Sequence, residues 1–300
     1  MQTLLDYIVE RICLLNKIHG KKILHNQQNF DETYFIRANA FLTRYNLLLQ
    51  HQGKTLDYAI DCYLQMIADI NYETVQFMQT GKYTSTTFDE VNTRVYNNPE
   101  VMQYYVHGIL LSQFLWAHHY NILLFFNSVI KENSPQIHSY LEVGGGHGLY
   151  ASEAIRSIGA KATFNMVDIS QSSIDIAKMM IANDQVTYVL SDIFNYMPAT
   201  KYDFITMGEV LEHVERPVDL LKKLFSLLKD DGKVFLTVPT NGPTIDHIYL
   251  FRNADEIRDL ITASGFKIEK EFSIYSENVP PELAEKYKVS MMYAGVLVTA

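Results

Sequence analysis

Hydrophobic positions change their period part-way along this chain, and the change divides it. Before about residue 133 they recur at helical spacing. Thr55 opens one such run, in which Leu56, Ile60, Tyr63, Leu64 and Ile67 return to one face. Asp31 is placed to cap an earlier helix over Thr33–Gln50 that Gly53 stops, and Pro99, after Asn97 and Asn98, suits the first turn of a later one. From about residue 138, short apolar runs alternate with helical ones. The predicted strands are Tyr140–Val143, Ala162–Val167, Val186–Leu190, Tyr202–Met207 and Lys233–Val238. Helices are predicted over Leu149–Ile158, Ser172–Ala182, Pro217–Leu228 and Ala254–Ala263, the second capped by Ser170 and the last stopped by Gly265. Phe266–Tyr275 and Val289–Val298 are long enough to pair as a closing hairpin. Such alternation predicts an α/β fold with a parallel sheet covered on both faces. The polar break Lys131-Glu132-Asn133-Ser134-Pro135 separates an all-helical unit, 1–133, from an α/β unit, 134–300.

One stretch tests whether the chain meets a membrane. Between Val101 and Ile130 there is no Asp, Glu, Lys or Arg, but His107, Gln113, His118, His119, Asn121 and Asn127 interrupt the apolar run. Polar groups of this kind are costly in hydrocarbon, so buried helices are expected rather than a span. The net charge of −9 argues against a surface built to grip nucleic-acid phosphates. Cys13 and Cys62 are too few for a disulfide frame, and the first ten residues carry acids where a signal peptide needs bases. The expectation is a cytoplasmic protein.

The chemistry is concentrated after the first strand, in Leu141-Glu142-Val143-Gly144-Gly145-Gly146-His147-Gly148. A buried strand running through alternating glycines into a helix brings backbone N–H groups close to a ligand with no Cβ in the way. The dinucleotide pattern G-x-G-x-x-G/A needs Gly or Ala at 149, where Leu149 stands. The remaining E-x-G-x-G-x-G resembles motif I of the class I S-adenosylmethionine (SAM)-dependent methyltransferases. Asp168 follows the last glycine at the distance where a carboxylate accepts ribose hydroxyls, and it ends the second strand. The resemblance covers roughly 138–300. It implies a Rossmann-like seven-stranded sheet whose last strand is antiparallel. It also places Glu142 under the loop near the cofactor's amino-acid end, Asp192 at the adenine amino group, Ile169 and Ile193 about the adenine ring, and Gly208 beside the methionine moiety, with Gly144, Gly146 and Gly148 forming the turn.

A second layer follows the fourth strand in Gly208-Glu209-Val210-Leu211-Glu212-His213-Val214. On a helical turn Glu209, Glu212 and His213 share a face at i, i+3 and i+4. They can hold a divalent cation such as Mg²⁺ that lowers the pKa of a substrate hydroxyl, or His213, with Glu212, can act as the catalytic base. The segment resembles the E-x-x-E-H element of the ubiquinone-pathway O-methyltransferases and of the small-RNA 2′-O-methyltransferases, which bind a metal there. The same wording recurs in methyltransferases that use none. By the same resemblance His247 stands near a further metal-ligand position.

The helical unit is the natural cap over the acceptor, because methyl transfer by in-line displacement depends on placement and exclusion of water. Its aromatic segment around Tyr105, His118 and His119, with Asn241 after the fifth strand, supplies candidate substrate contacts. The same aromatic richness fits a homodimer contact. Tyr83-Thr84-Ser85-Thr86-Thr87 reads as a mobile polar connector. Three functions stay open: a methyltransferase acting on a small molecule, most readily at oxygen; one acting on a peptide or RNA; and a non-catalytic SAM-binding assembly protein.

Overall fold

The helical region is punctuated by side chains that satisfy free helix ends. The computed structural model describes residues 2–300. Thr3 and Asp6 form a reciprocal capping box on α1 (Leu4–Leu15). Asn16 ends that helix and caps α2 (Lys17–Gln27). Asp31 caps α3 (Glu32–His51) and Thr55 caps α4 (Leu56–Thr80), as the sequence predicts. A short α5 (Phe88–Val91) and a π-type turn at Asn92–Tyr96 lead to α6 (Pro99–Leu115), with Pro99 in its first turn. Trp116 alone separates α6 from α7 (Ala117–Asn133), and the path bends there by 74°. Among the described residues no single helix is long and apolar enough to cross a membrane.

The remainder alternates as expected: β1 (Ser139–Val143), α8 (Leu149–Ile158), β2 (Thr163–Asp168), α9 (Gln171–Ile181), β3 (Val186–Leu190), β4 (Tyr202–Gly208), α10 (Pro217–Leu227), β5 (Leu228–Thr240), α11 (Ala254–Ala263), β6 (Phe266–Tyr275), α12 (Pro281–Lys286) and β7 (Met291–Thr299). The sheet order is β3-β2-β1-β4-β5-β7-β6. Neighbours among the first five strands run parallel, and β7 runs antiparallel to both β5 and β6. The last strand therefore inserts between β5 and β6 as well as pairing with its hairpin partner. The short α12 in the connecting segment has no counterpart in the predicted elements. Strand order reverses beside β1, so a crevice opens between the loops after β1 and β4, where α/β sheets bind ligands.

Two apolar layers flank the sheet. On one side α10 and α11 cover Leu141, Ile205 and Leu236. On the other, a single cluster runs without interruption from the helical region through α8 and α9 to the sheet. Phe126 of α7 forms part of this seam, with ring centroids 4.7 Å from Tyr150 and 5.0 Å from Phe235. The charge-free stretch Val101–Ile130 of α6 and α7 thus forms core helices.

Phe126→Ala should lower stability by about 3–5 kcal/mol, the usual loss for a fully buried ring. Because the core is continuous, fluorescence of the one tryptophan, Trp116, and far-ultraviolet dichroism should report one coincident transition. Two separated transitions would show that cap and sheet unfold independently.

Candidate active site

The loop after β1 turns through Gly144 at φ 63° and Gly146 at φ 51°. A Cβ on Gly144 would sit 2.5 Å from Val210 Cγ2, whereas one on Gly146 would meet nothing within 4 Å. The first glycine is required by packing, and the second faces open space. Gly146 N–H donates to Asp168 Oδ2 at 3.1 Å and Ser170 N–H to Asp168 Oδ1 at 2.8 Å, tying the ends of β1 and β2 together. Burial still pushes the Asp168 carboxyl up from its ordinary value. Asp192 caps the turn after β3 by accepting from Phe194 N–H at 2.8 Å.

These groups border a cavity of about 510 Å³. Gly144, Gly146, Asp168, Ile169, Asp192 and Ile193 all line it. Ile169 is 45% exposed and Phe194 43%, so two apolar side chains wait uncovered beside Asp192. Three predicted cofactor residues lie behind the wall. Glu142 is buried beneath the loop, where burial raises its carboxyl to about 8. Gly148 begins α8, and Gly208 ends β4 against Tyr150.

The expected shared face of Glu209, Glu212 and His213 does not form. Glu209 adopts φ 52° at the end of β4, and only Leu211–His213 makes a 3-10 turn. Glu209 is thereby turned toward His119, whose Nε2 lies 3.8 Å from its Oε1. Glu212 instead meets His213 and His247, with Nε2 of each at 3.8 and 3.7 Å from Glu212 Oε1. Ligand atoms of these three residues all lie within 4.8 Å of one another. Both oxygens of Glu212 are buried without a hydrogen-bond partner, and burial drives its carboxyl well above the ordinary value.

Backbone carbonyls fix the protons of this cluster. His213 Nδ1–H donates to Asp246 O at 2.9 Å and His247 Nδ1–H to Gly242 O at 2.5 Å. Each imidazole therefore presents an Nε2 lone pair to Glu212, the tautomer a metal ligand uses. His247 stays neutral, its burial lowering it to about 3. His119 Nδ1 lies 3.1 Å from Ser112 Oγ and 3.3 Å from Gln113 Nε2, and its Nε2 faces Glu209.

The helical region clamps the loop that bears His247. Gly242 N–H donates to the Tyr83 hydroxyl at 3.1 Å, and the Arg94 guanidinium donates to Ile245 O. Tyr105 donates to Asp246 Oδ1 at 2.7 Å, and Tyr96 to Asp246 Oδ2 at 3.4 Å. Burial alone would raise Asp246, but the two imidazoles and the hydrogen bonds from Tyr105 and Thr244 outweigh it and hold it below its ordinary value. Tyr105, expected at the substrate, is thus a support of Asp246. Tyr83, expected in a mobile connector, is 7% exposed and anchored. No local pattern ties Tyr96 and Asp246 together across 150 positions.

A second cavity of about 360 Å³ lies between helical region and sheet. His118, His119, Trp116, Asn241 and His247 line it, and Glu209 lines both cavities. His118 packs on Trp116 at 5.3 Å and is held neutral, burial lowering it to about 3.

Residues 116–271 match a family model described as a methyltransferase domain. The chain belongs to this methyltransferase family. The ubiquinone biosynthesis O-methyltransferase of Coxiella burnetii (strain Dugway 5J108-111) is 40% identical over 124 residues, 40% of this chain and 51% of that protein. Malonyl-(acyl-carrier protein) O-methyltransferase 1 of Ilyobacter polytropus is 23% identical over 154 residues, 47% of this chain and 57% of that protein. The methyltransferase thus spans little more than half the length of these curated relatives. Mitomycin 7-O-methyltransferase shares its fold, with a TM-score of 0.55 at 12% identity over 77% of this chain and 68% of that one. The family's cofactor is SAM, and the 510 Å³ cavity fits it. An open glycine turn, a carboxylate at the end of each of β2 and β3, and uncovered Ile169 and Phe194 offer what a ribose and a flat base require.

Buried groups set a pH dependence of opposite sign on either side of neutrality. His107 and His147, each lowered to about 4 by burial, and His118 and His247 must gain protons on unfolding. Their stabilisation is present above about 6.5 and lost as pH falls. Glu142, raised to about 8, and Glu209, raised to about 7, favour the protonated fold, so their stabilisation is lost as pH rises through those values. The thermal midpoint of the ligand-free protein should therefore climb from about pH 5 to about pH 6.5, decline from there to about pH 8, where Glu142 has lost its proton in the fold too, and level off above it. Glu142→Gln should flatten the decline, and a midpoint rising steadily to about pH 9 would contradict it.

Proposed function

We propose that this chain transfers the methyl group of SAM to an oxygen of a small molecule seated in the 360 Å³ cavity, with a divalent cation between Glu212, His213 and His247. The observation that carries the reading is the position of Glu209 on the wall shared by both cavities, with His213 of the three-residue cluster lining the 510 Å³ cavity and His247 the 360 Å³ one. Support for oxygen comes from the names of the relatives, both O-methyltransferases. An acceptor cavity of about 360 Å³ suits a small molecule better than a peptide or RNA chain. In this reading residues 1–133 cover the acceptor and 134–300 hold the cofactor, inside the cell, with the acceptor as the partner.

The donor set favours a cation. Glu212 supplies an unpartnered buried carboxylate and the two histidines supply lone pairs, an arrangement that needs positive charge at its centre. SAM supplies an electrophilic methyl group, and the cation would lower the proton affinity of the acceptor oxygen. The residues of this chain do the rest. Asp168 and Asp192 hold the cofactor's ribose and base. Glu209 and His119 Nε2 face one another across 3.8 Å and orient the acceptor oxygen. Trp116 and the neutral His118 close the wall and exclude water. Without a cation, His213 Nε2 would take the acceptor proton, with Glu212 protonated beside it.

Three measurements test the reading, and the second decides between cation and base. Asp168→Ala should abolish calorimetric binding of S-adenosylhomocysteine, and retention of binding would remove the cofactor assignment. Chelation should suppress labelled-methyl transfer, with Mg²⁺, Mn²⁺ or Zn²⁺ restoring it in wild type and not in Glu212→Gln. Equal turnover in chelator would leave His213 as the base. Tyr105→Phe, which loosens Asp246, should weaken cation binding about tenfold and leave S-adenosylhomocysteine binding unchanged.

A further inference from the structure

The corner between α1 and α2 exposes apolar side chains that nothing among the described residues covers. Asn16 breaks the helix there, and Leu14 is 76% exposed, Leu15 52% and Ile18 87%. Leu24, one turn and a half further along α2, is 45% exposed. The inner faces of the two helices are already in close contact. A Cβ on Gly20 would lie 2.6 Å from Cys13, and Ile12 and Ile23 are buried. The outer leucines and isoleucine therefore cannot turn inward.

Charge is segregated at the same place. From Arg11 to Phe30 there is no Asp or Glu, although the whole chain carries −9. Arg11 pairs with Asp57 and Lys22 with Glu277, while Lys17 and Lys21 form no ion pair among the described residues. At 100° per residue, Lys17, Ile18, Lys21, Leu24 and His25 occupy one side of α2, opposite the buried Gly20 and Ile23.

We propose that this corner docks on an anionic lipid surface, its aliphatic side chains entering the interface and Lys17 and Lys21 meeting the headgroups. Aliphatic groups ringed by lysines, with no acid among them, are complementary to such a surface. A second copy of the chain fits less well, because a two-fold contact would set each lysine pair against its own image. The other edge of α2 supplies His19, Lys22 and Asn26 to the acceptor cavity, so docking would bring the mouth of that cavity to the membrane. That consequence rests on the acceptor reading above; the docking itself does not.

The test is co-sedimentation of the full chain with vesicles of phosphatidylcholine alone and of phosphatidylcholine mixed with phosphatidylglycerol. The expected result is retention by the mixed vesicles at low salt and release as salt rises. Lys17→Ala and Lys21→Ala should each weaken partition about fivefold, and Leu14→Ser combined with Ile18→Ser about tenfold or more. All four positions are exposed, so dichroism and S-adenosylhomocysteine binding should not change, which separates this proposal from the cofactor assignment. No partition into anionic vesicles, equal partition into neutral ones, or undiminished partition of the lysine variants would overturn it. So would a dimer in sedimentation analysis that Leu14→Ser and Ile18→Ser dissolve.

Discussion

A carboxylate with no donor, sealed from water, is the constraint around which this structure is arranged. Glu212 has lost solvent at both oxygens, and among the described residues no hydrogen-bond donor replaces it. Its two near partners are imidazoles whose protons are committed to carbonyls on the far side. A fold tolerates such a group only if something positive, a proton or a metal ion, occupies the space between. The backbone reinforces the placement, since Ile248 and Tyr249 N–H both donate to the Glu212 carbonyl at 3.0 and 2.9 Å. The loop bearing His247 is thus bound to the very turn whose side chain it must face.

From that centre the division into cap and sheet becomes a division of labour rather than of structure. The sheet supplies Glu209, Glu212, His213 and the His247 loop. The helical region supplies His119 and the tyrosines that hold Asp246. A cap that only excluded water would leave the site's protonation state to the sheet. Here the hydrogen bonds that orient the two histidines are themselves oriented from the cap, and the continuous apolar seam at Phe126 keeps the two parts in register.

Much of the frame was legible in the residues. Parallel strands are buried on both faces and so read as plain apolar runs bounded by polar turns, which is why β1 to β4 lie where the pattern puts them. The glycine loop and Asp168 and Asp192 are local signals at strand ends, and they line one cavity. The rest depended on geometry that no spacing encodes. Periodicity placed Glu209, Glu212 and His213 on one helical face, but a left-handed residue at Glu209 sent the first of them toward the cap. Tyr105 sits in an aromatic run that reads as a pocket wall, yet its hydroxyl finds a carboxylate 141 residues away. Burial of Tyr83 was hidden because a string of threonines and serine looks like a loop until its one aromatic residue finds a partner.

The insertion of β7 between β5 and β6 has a consequence for how the molecule assembles. The chain reaches β6 before β7, but among the described residues β6 has no strand partner other than β7. This edge of the sheet cannot grow outward in chain order. β6 joins the sheet only through β7, whether the two dock on β5 as a hairpin or one after the other. Until then β5 presents an open row of backbone groups and the helical region an uncovered apolar seam, the two features that promote association between chains. The order of strands in space therefore makes the closing hairpin the step that commits the fold, and the interval before it the time at which the chain is most exposed to its own copies.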